Sequence, residues 1–198
     1  IPLLGILREH AAWLANPGDG CQADLSGATL NDEDLHGVNL GRAILHGATL
    51  LDANLSAADL SGARLEGADF QRANLAGADL TAADCTAAQF GGAWLSNASL
   101  SEAVIRKANF RRAKLDRAQM LDASVHETSF AEITGEALNL HQSGFYDVDW
   151  SESQLGLAQF YHARLQHCRF AGANAAGANF QGSKIDHCDF SRSQLEGV

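Results

Sequence analysis

A five-residue beat starts near Ala23 and runs to the C-terminus. Leu25, Leu30, Leu35, Leu40, Leu45, Leu50, Leu55, Leu60, Leu65, Phe70, Leu75 and Leu80 fall on it, and it continues to Phe190 and Leu195. In that series only Gly135 and Ala175 are not large or sulfur-bearing apolar residues. Two positions before each of them stands a small residue, usually alanine, as in Ala23, Ala28, Ala43, Ala48 and Ala53. Neither the 3.6-residue period of a helix nor the simple alternation of a strand fits such a beat. A short extended piece followed by a bend does. Extended residues two apart point to the same side, so Ala23 and Leu25 face inward and Asp24 faces outward between them. The next two residues must turn the chain. Of the 19 glycines, 11 stand at the second of these turn positions, Gly27, Gly37 and Gly47 among them. Glycine there marks a tight turn with positive φ. Asp or Asn recurs at the outward position (Asp24, Asp34, Asn39, Asn54, Asp59), where its side chain can hydrogen-bond nearby backbone.

Ala23-Asp24-Leu25-Ser26-Gly27, Ala58-Asp59-Leu60-Ser61-Gly62 and Ala73-Asn74-Leu75-Ala76-Gly77 carry the full pattern Ala-(Asp/Asn)-Leu-X-X. On these motifs, repeated over residues 23–198, the chain resembles the pentapeptide-repeat family. The resemblance implies an all-β solenoid, a right-handed four-sided β-helix with four units per coil. The sequence supports four sides on its own. Sorted by twenty, one inward column reads Leu30, Leu50, Phe70, Phe90, Phe110, Phe130, Trp150, Phe170, Phe190, which places most phenylalanines on one side. At about 4.8 Å per coil, roughly nine coils make a rod on the order of 40 Å long. Each coil buries its core only by stacking on its neighbours.

Residues 1–22 read as a separate N-terminal cap. Pro2 suits the first turn of a helix. Leu3, Leu7, His10, Ala11 and Leu14 recur at helical spacing, and Asn16-Pro17-Gly18-Asp19-Gly20 is a stop. A short helix covering the first coil would shield its core and edge strand. A membrane-surface helix is the alternative, but Arg8 is the only basic residue on it. No apolar run is long enough to cross a bilayer, so no membrane partner is expected. The opening Ile-Pro-Leu-Leu-Gly-Ile-Leu is too short for a secretion signal and has no basic flank, and the expected compartment is the cytoplasm. Because the chain opens on Ile1, a missing or processed start is expected.

The formal net charge is -10. Direct nucleic-acid binding is therefore not expected, because phosphates require cations. No GxSxG, P-loop or HExxH motif is present, so the reading is non-enzymatic with no cofactor. The one metal candidate is the outward column Asp147, His167, His187, whose members fall on successive coils. Cys168 and Cys188, also twenty apart, come within disulfide range on adjacent rungs; the alternative is two free thiols replacing alanine.

Two sets of residues stand out as a partner surface. A basic band, Arg106, Lys107, Arg111, Arg112, Lys114 and Arg117, interrupts the acidic field; it reads as a solvated band or as a contact for an anionic partner. Trp94, Ile44 and Val104 occupy the outward phase normally held by Asp or Asn, while Tyr146, Leu157 and Tyr161 project from turn phases. Tyr146, His141, Tyr161 and His162 are expected to cluster on adjoining faces. In residues 131–150 Ile133 and Leu138 take small inward sites and Gly135 a large one, as if volumes were exchanged; a binding groove is the alternative. Phe190, Leu195 and Val198 would leave an open core and edge at the last coil, so a homodimer through that end, or further chain, is expected. These features support a rigid protein-interaction scaffold. The family resemblance adds a DNA-mimicking protector of bacterial DNA gyrase against fluoroquinolones as one alternative. A second is an accessory domain of a larger secreted or secretion-associated protein.

Overall fold

The computed structural model describes residues 3–198, and Pro2 lies outside the described residues. From Ala23 onward the chain is a parallel, four-sided β-helix. The bridges Asp24–Ile44, Thr29–Thr49, Asp34–Asn54 and Asn39–Asp59 each join residues twenty apart, and four of them complete one coil. The same register continues to Asn174–Gln194. Backbone bonds between coils follow it, as in Leu25 N–H to Ile44 O at 2.7 Å and Ile44 N–H to Ala23 O at 2.9 Å.

The corners follow from the two residues between strands. The N–H of the next small residue closes most turns onto the large residue, as in Ala48 to Leu45 O at 3.0 Å. Every second turn residue from 27 to 197 has positive φ, with glycine at 11 positions and a side-chain-bearing residue at 24. Such a bond with positive φ at the third residue is the type II turn. Asp52 and Leu157 adopt this conformation without being glycine, held by the turn bond and by ladder bonds to the neighbouring coils. The outward Asp or Asn braces the corner: Asp24 Oδ1 accepts from Ser26 N–H at 3.0 Å and Asp59 Oδ1 from Ser61 N–H at 2.9 Å.

The inner positions form one continuous core in which Leu25 to Phe170 are buried with their alanine partners. The aromatic column is a stack. Successive ring centroids from Phe70 to Trp150 are 5.1, 4.5, 4.7 and 4.4 Å apart. A second stack, Phe160 on Phe180 at 4.6 Å, occupies another side of the last coils. The coil around Gly135 is repacked. A Cβ added there would meet Leu138 Cδ2 and Leu155 Cδ2 at 3.3 Å and Ile133 Cδ1 at 3.4 Å, and Ile133 and Leu138 are fully buried. Their side chains fill the space that the missing one leaves.

Helix α1 (Leu3–Ala15) covers the first coil. Leu3, Ile6 and Leu7 pack on the core, and His10 is its one buried residue. Ala11, placed on the buried stripe by its spacing from Leu7, is exposed. At 100° per residue, the stripe through Leu3, Ile6, Leu7 and His10 leaves position 11 on its margin. His10 Nδ1 accepts the Ala23 N–H at 3.0 Å, which ties the cap to the first repeat. Its ring stacks on Trp13 at 5.6 Å, and Arg42 covers Trp13 at 4.7 Å. Burial holds the His10 pKa below the ordinary value, with the Arg42 charge acting the same way and the Gly41 backbone and Asp59 opposing. The unfolded chain therefore takes up a proton that folded His10 resists. The stability this contributes is present above about pH 6.5 and falls as pH drops below it towards the depressed folded pKa. Thermal midpoints at pH 7.5 and 5.5 should show this loss in the native chain. His10→Asn keeps an acceptor for Ala23 but does not titrate, so it should flatten the difference.

One side of the rod departs from isolated bridges. Here β1 (Val104–Arg106), β2 (Ser124–His126), β3 (Gly144–Tyr146), β4 (Arg164–Gln166) and β5 (Lys184–Asp186) form a parallel sheet in that order. Val104 pairs with Ser124, Ser124 with Gly144, Gly144 with Arg164 and Arg164 with Lys184. On the same side of earlier coils Ala28, Ala48, Ala68 and Ala88 close the turn. In the later coils Thr128, Val148, Cys168 and Cys188 take that place. Branched Thr and Val favour extended backbone, and the Ala108 N–H turns instead to Thr128 Oγ1 at 3.3 Å.

Candidate functional site

The sheet side gathers most of the chemistry that varies from unit to unit. Along its margins lie five of the eight histidines, His126, His141, His162, His167 and His187. The margin before the strands holds His141, Tyr161 and His162: His141 and Tyr161 rings are 5.0 Å apart, Tyr161 and His162 4.0 Å. The margin after them holds His126, Tyr146, His167 and His187, with consecutive rings at 5.8, 5.7 and 5.2 Å. The expected single cluster of Tyr146 with His141, Tyr161 and His162 is thus corrected to two clusters, one at each edge of one sheet. The extended strand carries position 146 away from position 141 to the opposite corner.

Three depressions lie on this side. One, of about 600 Å³, is lined by Asp122, Ser124, Gln142, Gly144, His162 and Arg164. A second runs along Arg164, Gln166, Lys184 and Asp186, and a third along Thr86, Arg106, Lys107 and Glu127.

Three of the six residues of the basic band meet a carboxylate on the next coil. Arg111 and Arg112 share Glu132, the latter at 2.7 Å, and Lys107 reaches Glu127 at 3.8 Å. The two arginines hold the Glu132 carboxyl below the usual carboxylate range. Lys114 lies over the Trp94 ring at 4.5 Å, so Trp94, though 51 % exposed, serves a cation. The solvated band is the better reading of these residues, and Arg106 remains with the sheet side.

The metal column is not assembled. His167 and His187 are adjacent, but His187 Nδ1 pairs with Asp186 at 2.6 Å. Among the described residues no group of three or more His, Cys, Asp or Glu side chains could hold a metal ion. Asp147 stands two coils from His187, about 9.6 Å along the axis. Cys168 and Cys188 are free thiols, and burial pushes the Cys168 thiol up to about 12.

At the last coil the core is open. Leu195 and Val198 are 41 % and 57 % exposed and Phe190 is half-buried, as their positions predict. Ile185, on another side of the same coil, is 47 % exposed. The beat alone treats Ile185 as core. Gly144 did carry a signal, being a glycine at the outward phase instead of the turn phase.

The pentapeptide-repeat family model matches residues 22–56, 50–84, 83–120 and 153–197. The gap contains Gly135, Gly144 and Val148. No curated protein matches the chain. Among solved structures, HetL, a pentapeptide repeat protein involved in heterocyst differentiation regulation from the cyanobacterium Nostoc sp. strain PCC 7120, is 20 % identical. The match covers 98 % of this chain and 94 % of that one with a TM-score of 0.57. A trypsin-treated QnrB1 variant, a plasmid-mediated fluoroquinolone resistance protein, is 17 % identical over 85 % of this chain and 91 % of that one, with a TM-score of 0.67. At these identities the likeness shows the fold. With the family model matching more than half of its length and twenty-residue coils throughout, the chain belongs to the pentapeptide-repeat family.

Proposed function

We propose that this protein is a rigid, non-enzymatic scaffold that docks a protein partner on the β1–β5 side. The observation that carries the reading is the coincidence, on one side, of the continuous sheet, both imidazole–tyrosine clusters and three depressions. Inner positions define the rod, so outward positions are free to vary, and here they vary most. A photo-crosslinking amino acid in place of Tyr146 should give a discrete adduct in the source cell. The same group in place of Gln154, on the opposite side, should not. Equal labelling from both positions would reject the sheet side as the docking face.

A second reading, protection of DNA gyrase, is favoured by the first half of the rod. Residues 1–100 carry 12 acidic and 4 basic side chains, and Asp24, Asp34, Asp59, Asp69, Asp79 and Asp84 repeat along it at the outward phase. A negative rod can occupy a surface built for duplex DNA. A supercoiling assay with and without fluoroquinolone decides it. No protection at a large molar excess of the rod would sink the idea.

The open coil supports a proposal of its own: a second copy, or further chain of a longer protein such as a secreted one, covers Ile185, Phe190, Leu195 and Val198. The compartment proposed for the chain itself is the cytoplasm. Light scattering of the native chain should give twice the monomer mass, and Ile185→Glu with Leu195→Glu should halve it. A clean monomer of the natural full-length protein, with no residues beyond Val198, would contradict both coverings.

A further inference from the structure

Gly144 is out of place. Glycine in a strand weakens it, and in such a position it often marks close approach of a ligand or another backbone. Here neither conformation nor crowding requires it. Gly144 is not among the positive-φ residues, and a Cβ built on it meets nothing within 4 Å. The space above it is the depression of about 600 Å³.

The walls of that depression are charged and of opposite sign. Asp122 stands on one coil, Gln142 and Gly144 on the next, and His162 and Arg164 on the one after. Two coils separate Asp122 from Arg164 along the rod, about 9.6 Å. Ser124 adds a hydroxyl already engaged with His126 Nε2 at 3.2 Å. The ion pairs of the described residues include neither Asp122 nor Arg164. Gly182 fixes the place of His162: a Cβ at Gly182 would meet His162 Nδ1 at 2.4 Å, so the imidazole lies over that glycine corner. Beyond Arg164 the trough continues into the depression lined by Gln166, Lys184 and Asp186.

We infer that the groove over Gly144 is a binding site for an extended peptide segment lying along the rod, with a basic side chain against Asp122 and an acidic side chain against Arg164. Alternate residues of an extended segment project to one side about 6.6 Å apart. Side chains of ordinary length bridge the remaining distance to the two walls. Gly144 leaves room for the intervening backbone, and Gln142 and Ser124 offer it hydrogen-bonding groups. The inference deepens the scaffold reading by naming a chemistry for the partner, and it rests on that reading.

The test uses the full chain and three synthetic peptides, Ac-Lys-Ala-Glu-NH2, Ac-Lys-Ala-Lys-NH2 and Ac-Glu-Ala-Glu-NH2, followed by amide NMR shifts. The mixed-charge peptide should give saturable shifts confined to residues 122–124, 142–144 and 162–164. Both like-charged peptides should bind about fivefold more weakly, the scale of one exposed ion pair. Asp122→Asn and Arg164→Ala should each produce a similar loss. Gly144→Leu fills the groove without strain; it should keep the native thermal midpoint and abolish the shifts. Equal binding of all three peptides, or shifts that survive Gly144→Leu, would overturn the site. So would an absence of saturable shifts. A partner crosslinked through Tyr146 would still stand if the peptides failed, so the two readings fail separately.

Discussion

Phe110→Ala should destabilise the rod by about 3–5 kcal/mol, the cost of emptying a large buried aromatic site. Phe110 is fully buried, with ring neighbours at 4.5 Å on Phe90 and 4.7 Å on Phe130. Its loss removes contacts to both adjacent coils at once. The coils are held by ladder bonds twenty residues apart, so the column cannot collapse to refill the space. Because stability in such a stack is a sum of neighbour terms, a central break should also uncouple the halves. Chemical denaturation followed by fluorescence and by circular dichroism should give one transition for the native chain and a lowered, broadened one for the variant. A midpoint unchanged from the native chain would mean that the aromatic column does not hold the coils together.

Gly135→Leu is expected to be the second large effect. It restores the residue that the five-residue beat calls for, and it should destabilise by about 1–3 kcal/mol through overpacking. The first added carbon already approaches Leu138, Leu155 and Ile133 at 3.3–3.4 Å. The informative experiment adds Ile133→Ala and Leu138→Ala to the same chain. Those two changes alone should cost about 2–5 kcal/mol each as cavities. Combined with Gly135→Leu they return all three positions to the ordinary unit, and much of the loss should disappear. The departure from additivity measures how strongly the three sites share one volume. Additive losses would mean that the coil was not built by exchange.

These two sites show what the sequence carries about this fold. The large residue, the small residue two before it and the turn between them are local, so phase alone placed Phe110 in a stacked column and Leu195 at an open end. Gly135 was legible as an exchange because its compensating residues, Ile133 and Leu138, lie within three positions of it. The stripe Leu3, Leu7, His10, Ala11 and Leu14 takes in Ala11 by spacing alone; only packing against the first coil turns that position to solvent and brings Ile6 onto the core. The open corners at Thr128 and Val148 were not foreseen. They depend on how a branched inner residue changes a turn, which spacing does not report.

The functional surface was legible only in pieces. Tyr146 and Tyr161 stand out in the sequence as large apolar residues at turn phases, His141 and His162 as their neighbours, and Arg106 as part of the basic band. Their division between two edges of one sheet depends on the extension of β1 to β5. Trp94 and the Arg111–Arg112 pair were marked as conspicuous, but Lys114 and Glu132 engage them within the rod. Whether an outward residue is spent on a neighbouring coil or left for a partner depends on what stands twenty residues away on the adjacent rung.

The claim that the rod acts through its sheet side is tested most directly by quantitative affinity capture from the source cell. Native protein would be compared with one variant carrying Arg106→Ala, Tyr146→Ala and Arg164→Ala, after equal thermal midpoints have been verified. A partner recovered in stoichiometric amount with the native rod should be lost with the variant. The same partner recovered in equal amount with both proteins would contradict it.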